Sequence, residues 1–423
     1  MKTACLAILL TSAMPVFAVE SDWNPGPPVK NPSFNGKPIE DLTINGRPYE
    51  VFQHGMKPEW GYKAQQQDTF VLIHPKKPGK KVPLYVVLHS AGHDVISCVN
   101  CTRSVGNHDI YRSPDDFFAL YLDCRRNPGD WWWGGMHLHD PNLTRKNAGG
   151  DPTPVEKRVV DTVKWVVAKY DMNPDRVYLS GISMGGSGTL GIGMRHGDVF
   201  AAIKASIPAE IEHVSQRMYF PPLVLPEKSG IPDPPIAIDE SAQDDGWSRG
   251  HERFVAAMND RKYALLLYWG PFGHAGNHSQ IEKVNDLVSS FDWLEVKKNE
   301  AYPVFTRATS NSKLPWPADL KSSKAGQVNA FFRWKCLSDT RDRLEMSLFL
   351  VDPGKLKTTF EIPKVSTADV SVRRIQNGSL QPGATFRWTF GDTQGEGKAD
   401  SQGILTIPGL KITTPPTVLT IDK

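Results

Sequence analysis

The stretch from Arg176 to Gly188 reads RVYLSGISMGGSG, and it restricts the fold more than any other part of the chain. An apolar run ends in a serine set among glycines. Glycine loses the most backbone freedom on folding, so such a cluster marks a place where the backbone must do what other residues forbid. Gly181-Ile182-Ser183-Met184-Gly185 fits G-x-S-x-G between a predicted strand and a predicted helix, the setting of a nucleophile elbow. In so tight a turn, side chains two residues to either side of the serine would meet the adjoining strand and helix. The pattern therefore predicts a strained Ser183 held out at the top of a sheet. Gly186 and Gly188 would let the following helix pack closely.

The surrounding pattern supplies the sheet. Short, nearly continuous apolar runs recur at Thr69–Pro75, Pro83–His89, Phe117–Asp123, Asp175–Gly181, Ala201–Ile207, Pro235–Ser241 and Tyr263–Gly270. Runs of this kind belong to parallel strands covered on both faces. Helices separate them. Asp151 or Thr153 can cap one with Pro154 in its first turn, and Val155, Val159, Val163, Val166 and Tyr170 repeat at helical spacing. Others are predicted after Ser183, over Arg249–Met258 and over Gln280–Phe291. Strand and helix alternation predicts an α/β fold: a mostly parallel sheet with helices on both faces. Past about Lys298 the chain turns to short alternating strands with turn signals such as NGS and TQGEG, which predicts an all-β, sandwich-like module. The expected division is a leader over residues 1–18, an irregular Pro/Gly/Asn-rich segment over 19–64, a catalytic α/β domain over 65–298 and the β module over 299–423.

A serine hydroxyl needs a base to take its proton. His274 fits, in the loop after the strand that ends YWG, with His278 and His251 as rivals. An acid to orient the histidine should follow the preceding strand, where PPIAIDESAQDDGW offers Asp239, Asp244 and Asp245. Asp244 is the first choice and Asp245 the second. Ser183, Asp244 and His274 then occur in the chain order of α/β-hydrolases. An oxyanion hole needs two N–H donors: Met184, directly after the serine, and either Ser90 or Ala91 in the loop HSAGH.

The first residues, MKTACLAILLTSAMPVFA, have a positive start, an apolar middle and small residues at the two positions before Val19 that a signal peptidase reads. They predict export, so a secreted or periplasmic protein. No later stretch is long and apolar enough to span a membrane. A net charge of +3 leaves no footprint for nucleic acid. In an oxidising compartment Cys98, Cys101, Cys124 and Cys336 favour disulfides, and a bridge from Cys98 or Cys101 to Cys124 is the preferred pairing. CVNC and the nearby His137 and His139 lack the second ligand pair of a structural zinc site, so no metal is expected.

The elbow in its longer form, NPDRVYLSGISMGG, resembles that of secreted α/β-hydrolase esterases: feruloyl and acetylxylan esterases of the first carbohydrate-esterase family, and polyhydroxybutyrate depolymerase-like enzymes. The resemblance covers roughly residues 65–295. It implies a serine esterase with Ser183, Asp244 and His274 as nucleophile, acid and base, and no cofactor. Two departures stand out: H-S-A-G replaces the usual H-G-x-G loop, and S-A-Q-D replaces the usual strand-G-x-x-D. The run NPGDWWWGGMHLH adds Trp131, Trp132 and Trp133 on the predicted catalytic edge, and Trp247 lies beside the acid loop. Exposed aromatic faces stack on sugar rings, phenolic acids or aromatic polyester units. The substrate expected first is a feruloyl or acetyl ester of a plant polysaccharide, then a polyester. A peptidase of the prolyl-oligopeptidase type and a non-catalytic carbohydrate-binding protein are the rival readings. The sequence leaves the oligomeric state open.

Overall fold

A computed structural model describes residues 23–55, 57–62, 68–103, 109–124, 132, 152–211, 214, 233–275, 286–314, 325–357 and 360–423. The predicted leader lies outside them.

Near the N-terminus a small hairpin pairs β1 (Ser33–Phe34) with β2 (Lys37–Pro38). The central sheet then collects β3 (Thr43–Ile44), β4 (Arg47–Gln53), β5 (Thr69–Ile73), β6 (Leu84–Leu88), β7 (Phe118–Leu122), β8 (Val177–Ile182), β9 (Ala202–Ser206), β10 (Ile236–Ala242) and β11 (Leu265–Gly270). Among the described residues it has ten strands; the tenth comes from the C-terminal part of the chain. From β7 to β11 the order is β7-β6-β8-β9-β10-β11, and every neighbouring pair in that run is parallel. β3, β4 and β5 extend one edge in antiparallel fashion. All seven predicted strands are present. The edge hairpin β3–β4 lies in the segment expected to be irregular, where its Asn, Gly and Pro residues hide the alternation of RPYEVFQ.

Both faces of the parallel strands are covered, as their apolar runs require. One face packs α2 (Pro154–Lys169), α3 (Met184–Gly193) and α4 (His251–Asp260): Val155, Val159, Val163, Leu190, Ile192, Phe254 and Met258 bury themselves against Leu72, Val86, Leu120, Leu179 and Ala237. The start of α2 is set by a reciprocal cap. Thr153 Oγ accepts from Glu156 N–H, and the Glu156 carboxylate accepts from Thr153 N–H, which satisfies two orphan donors at once. A short helix missed from sequence, α1 (Val95–Cys101), covers part of the other face.

The rest of that face receives the C-terminal strands. β12 (Tyr302–Thr306), β16 (Val365–Arg373) and β19 (Thr406–Thr413) form one antiparallel sheet. β14 (Phe332–Asp339), β15 (Arg343–Leu350), β17 (Thr385–Phe390), β18 (Thr393–Lys398) and β20 (Thr417–Asp422) form another. β13 (Gly326–Val328) joins neither sheet. It pairs antiparallel with β11 and closes the edge of the central sheet. Buried residues of these strands, among them Val304, Phe332, Leu348 and Val370, share one apolar cluster with Tyr178, Ile236, Ile238 and Leu266.

The disulfide expectation is corrected: among the described residues no disulfide joins Cys98, Cys101, Cys124 or Cys336. Cys98 packs on the α1 face of the sheet and Cys124 on the α2 face, so the body of the sheet separates them. Among the described residues no cluster of His, Cys, Asp and Glu could hold a metal ion, and no helix is long and apolar enough to cross a membrane.

Candidate active site

β8 delivers Ser183 to the C-terminal edge of the parallel strands. The serine sits at φ 56°, ψ −118°, a backbone conformation that non-glycine residues rarely take and that concentrates at functional sites. The glycines make the turn possible. A Cβ on Gly181 would lie 2.4 Å from the Gly185 carbonyl, and one on Gly185 would lie 2.0 Å from the Leu88 carbonyl oxygen on β6. Ser183 N–H donates to the Ser206 carbonyl of β9 at 3.0 Å, tying the elbow to its other neighbour.

His274 meets this serine. Ser183 Oγ donates to His274 Nε2 at 2.7 Å, and His274 Nδ1–H donates to Asp245 Oδ2 at 2.6 Å. Adjacent strands put the two loops together: Ala242 of β10 pairs with Gly270 of β11. Beyond the sheet, Gln243 N–H donates to the Gly270 carbonyl and Asp244 N–H to the Phe272 carbonyl, both at 3.0 Å.

The choice of Asp244 is therefore corrected to Asp245. β10 ends at Ala242; the chain turns at Gln243 and Asp244 and is extended again at Asp245. Gln243 and Asp245 are buried and Asp244 is exposed. The Asp245 side chain is only 5% exposed. Its second oxygen, Oδ1, accepts from Trp247 N–H at 2.9 Å as the N-cap of the 3-10 turn Gly246–Ser248. That bond fixes the carboxylate plane while Oδ2 holds the imidazole. Sequence spacing alone left the two aspartates one residue apart; the register of the loop pairing separates them.

The rival histidines part company. His278 lies outside the described residues. His251 and Asp239 are fully buried and bind each other, His251 Nε2 being 2.9 Å from Asp239 Oδ2, so neither reaches Ser183.

For the oxyanion, Met184 opens α3, and its N–H is one of the donors a helix start leaves unpaired. In the loop after β6, Ser90 N–H donates to Tyr111 Oη at 2.8 Å. This corrects Ser90 as a donor, since a phenol already holds its hydrogen, and leaves Ala91, whose residue is exposed. Tyr111 gave no signal in the sequence; it is fully buried and pins this loop. Burial pushes its hydroxyl far above the ordinary tyrosine range, so it stays a neutral partner.

The aromatic expectations divide. Trp247 is 50% exposed and stands edge-on to His274, ring centres 4.6 Å apart. Trp132 as a substrate platform is corrected: it is fully buried, donates Nε1–H to the His89 carbonyl at 2.8 Å, and its Cβ fills the space a Gly188 side chain would take. It packs the elbow helix from beneath. Trp131 and Trp133 lie outside the described residues, as do His137 and His139.

The strand order, the elbow and the helices on both faces define an α/β-hydrolase fold. No family model matches the chain. It is 28% identical over 143 residues to feruloyl esterase B of Neurospora crassa, a stretch that covers 34% of this chain and 44% of that protein; the chain thus spans less than half the length of the curated relative it matches. Among solved structures it is similar to a thermostable esterase (20% identity, TM-score 0.41, covering 60% of this chain and 64% of that one). It is also similar to a CE1 ferulic acid esterase of Anaeromyces mucronatus (12% identity, TM-score 0.38, covering 57% and 90%). The chain has the α/β-hydrolase fold and a distant similarity to a feruloyl esterase.

Proposed function

We propose that this α/β-hydrolase is a serine carboxylic-ester hydrolase, with Ser183 as nucleophile, His274 as base and Asp245 as the acid that orients it. The observation that carries the reading is the continuous chain from Ser183 Oγ through His274 to Asp245, at 2.7 and 2.6 Å, mounted on a strained elbow. Ser183 Oγ attacks the ester carbonyl as its proton passes to His274 Nε2. Asp245 stabilises the imidazolium without taking the proton. Met184 N–H and Ala91 N–H receive the developing oxyanion, and His274 then protonates the leaving alcohol. Water activated by the same ring releases the acid and regenerates Ser183.

Feruloyl or acetyl esters of plant polysaccharide are the proposed substrate class. The similarity to a protein named feruloyl esterase supports this, and so does an exposed indole beside the base, which suits an aromatic acyl group or a sugar ring. The leader-like first 18 residues support export; in that case the mature protein begins at Val19, a mass that intact-protein mass spectrometry of the exported form checks.

The deciding experiment measures hydrolysis of p-nitrophenyl acetate, methyl ferulate, a polyhydroxybutyrate film and a peptide amide by the protein and its Ser183→Ala variant. Ester turnover that disappears in the variant is expected. Turnover that survives Ser183→Ala sinks the mechanism. Amide cleavage without ester cleavage selects the peptidase reading instead, and film erosion with inert methyl ferulate selects the polyester class.

A further inference from the structure

A second Ser–His–Asp cluster lies beneath the acid turn. Asp239 and Ser241 project from β10, and His251 opens α4. Ser241 Oγ donates to Asp239 Oδ1 at 2.8 Å, and His251 Nε2 lies 2.9 Å from Asp239 Oδ2 and 2.7 Å from Ser241 Oγ. All three residues are fully buried, so no ester carbonyl reaches Ser241. Fully enclosed polar networks are costly unless satisfied, and satisfied ones rigidify what they join.

The other ring nitrogen shows what is joined. His251 Nδ1–H donates to the Ser248 carbonyl at 2.6 Å. Ser248 closes the 3-10 turn that Asp245 caps: Ser248 N–H donates to the Asp245 carbonyl at 3.0 Å, and Trp247 N–H to Asp245 Oδ1 at 2.9 Å. An unbroken path thus runs from the rigid floor of the central sheet, through His251, to the main chain that aims the Asp245 carboxylate at His274.

We propose that His251 is a positioning residue for the triad acid, acting through the Ser248 carbonyl and the 3-10 turn to hold Asp245 on His274. The proposal rests on the reading of Ser183, His274 and Asp245 as the triad. It accounts for a histidine that the esterase chemistry otherwise leaves idle. It also explains how an acid on a loop, rather than on a strand, is held with the precision catalysis needs. A displacement of about 1 Å in such a group is enough to cost on the order of 100-fold in rate.

The test uses the full chain and p-nitrophenyl acetate. His251→Ala and His251→Asn are made in the wild type and in Asp245→Asn, with folding followed by far-ultraviolet circular dichroism. His251→Ala is expected to lower kcat by roughly 10- to 100-fold at unchanged KM. His251→Asn recovers most of the loss, because its carboxamide N–H still reaches the Ser248 carbonyl. In the Asp245→Asn background the same substitutions change kcat little, because two residues acting through one contact are not additive. The low-field proton resonance of the His274–Asp245 hydrogen bond is expected to be sharp in the wild type and to broaden or disappear in His251→Ala. A folded His251→Ala protein with wild-type kcat overturns the proposal, and so does an equal loss in both backgrounds, which marks a general structural role. If His251→Ala does not fold, Ser241→Ala takes its place: it removes one bond to the ring, and kcat must fall at unchanged KM in the wild type only. Ser183→Ala run alongside separates the two ideas. Retained turnover there refutes the triad, whereas lost turnover with a silent His251 variant refutes only the positioning role.

Discussion

Asp244 and Asp245 are neighbours with the same side chain, and only one touches the imidazole. Asp245→Asn keeps the shape but takes away the charge opposite His274, so kcat/KM for p-nitrophenyl acetate is expected to fall by about 10³- to 10⁴-fold. Asp244→Asn alters an exposed carboxylate and is expected to stay within about twofold of wild type. Steady-state kinetics on the two proteins checks both, and an Asp244→Asn protein as impaired as Asp245→Asn contradicts the site as drawn. Trp247 is the other residue whose position speaks to chemistry. With half its surface open beside His274, Trp247→Ala is expected to raise KM for methyl ferulate more than for p-nitrophenyl acetate, since only the aromatic acyl group loses a stacking partner.

At the scale of elements, the strand ends show how closely polar groups are packed behind the site. Glu240 on β10 is flanked in register by Ser206 of β9 and Tyr268 of β11. It is buried, and its Oε1 has no hydrogen-bond partner among the described residues. Burial pushes the Glu240 carboxyl above its ordinary range, Lys204 partly offsetting the effect. A carboxyl held neutral in the fold but ionised in the unfolded chain gives stability that is full below its unfolded pKa and is lost as pH rises through the folded value. Glu240→Gln supplies a permanently neutral group of the same shape. Its melting temperature is therefore expected to exceed that of wild type at pH 7 and to converge with it near pH 4, as thermal melts across that range would show. An advantage that grows toward acid pH is the opposite sign and contradicts the argument. The elbow helix obeys a different constraint. Gly188 of α3 lies against Trp132, so the tryptophan that looked available for substrate is consumed as the floor of the nucleophile turn.

The whole molecule is knit across its two halves by arginines. Arg374, buried, donates to the carbonyls of Ala201 and Phe200 at 2.9 and 2.8 Å. Arg373 donates to the Lys262 and Arg261 carbonyls and to Asp233. Arg333 reaches the Ser290 hydroxyl and the Leu287 carbonyl. β13 lends a strand to the central sheet, and Trp334 packs on Phe291 and Phe305. Arg374→Ala strips donors from buried carbonyls and is expected to cost about 3 kcal/mol of stability, read as a lower urea midpoint with an unchanged slope. Ending the chain near Lys298 removes β13 and uncovers an apolar sheet face, so the shortened chain is expected to aggregate on expression rather than to give a smaller active enzyme. Recovery of a monomeric, active fragment would contradict that.

Local physics settled what the sequence could settle alone. Gly181 and Gly185 around Ser183 admit one kind of turn, because only glycine tolerates a carbonyl at 2.0 to 2.4 Å from where a Cβ would stand. Seven apolar runs required a sheet covered on both faces, and the placement of His274 after a late strand followed from that order. What the sequence left open depended on partners distant along the chain. Asp245 was chosen over Asp244 by the turn that ties Asp244 N–H to the Phe272 carbonyl and leaves the next side chain against His274. Ser90 was excluded by the hydroxyl of Tyr111. Trp132 was drawn into the core by Gly188. Cys98 and Cys124 pack on opposite faces of the sheet. Each was decided by which side chains share a face or a hydrogen bond once the strands are in register. Composition and spacing along one chain carry no information about that.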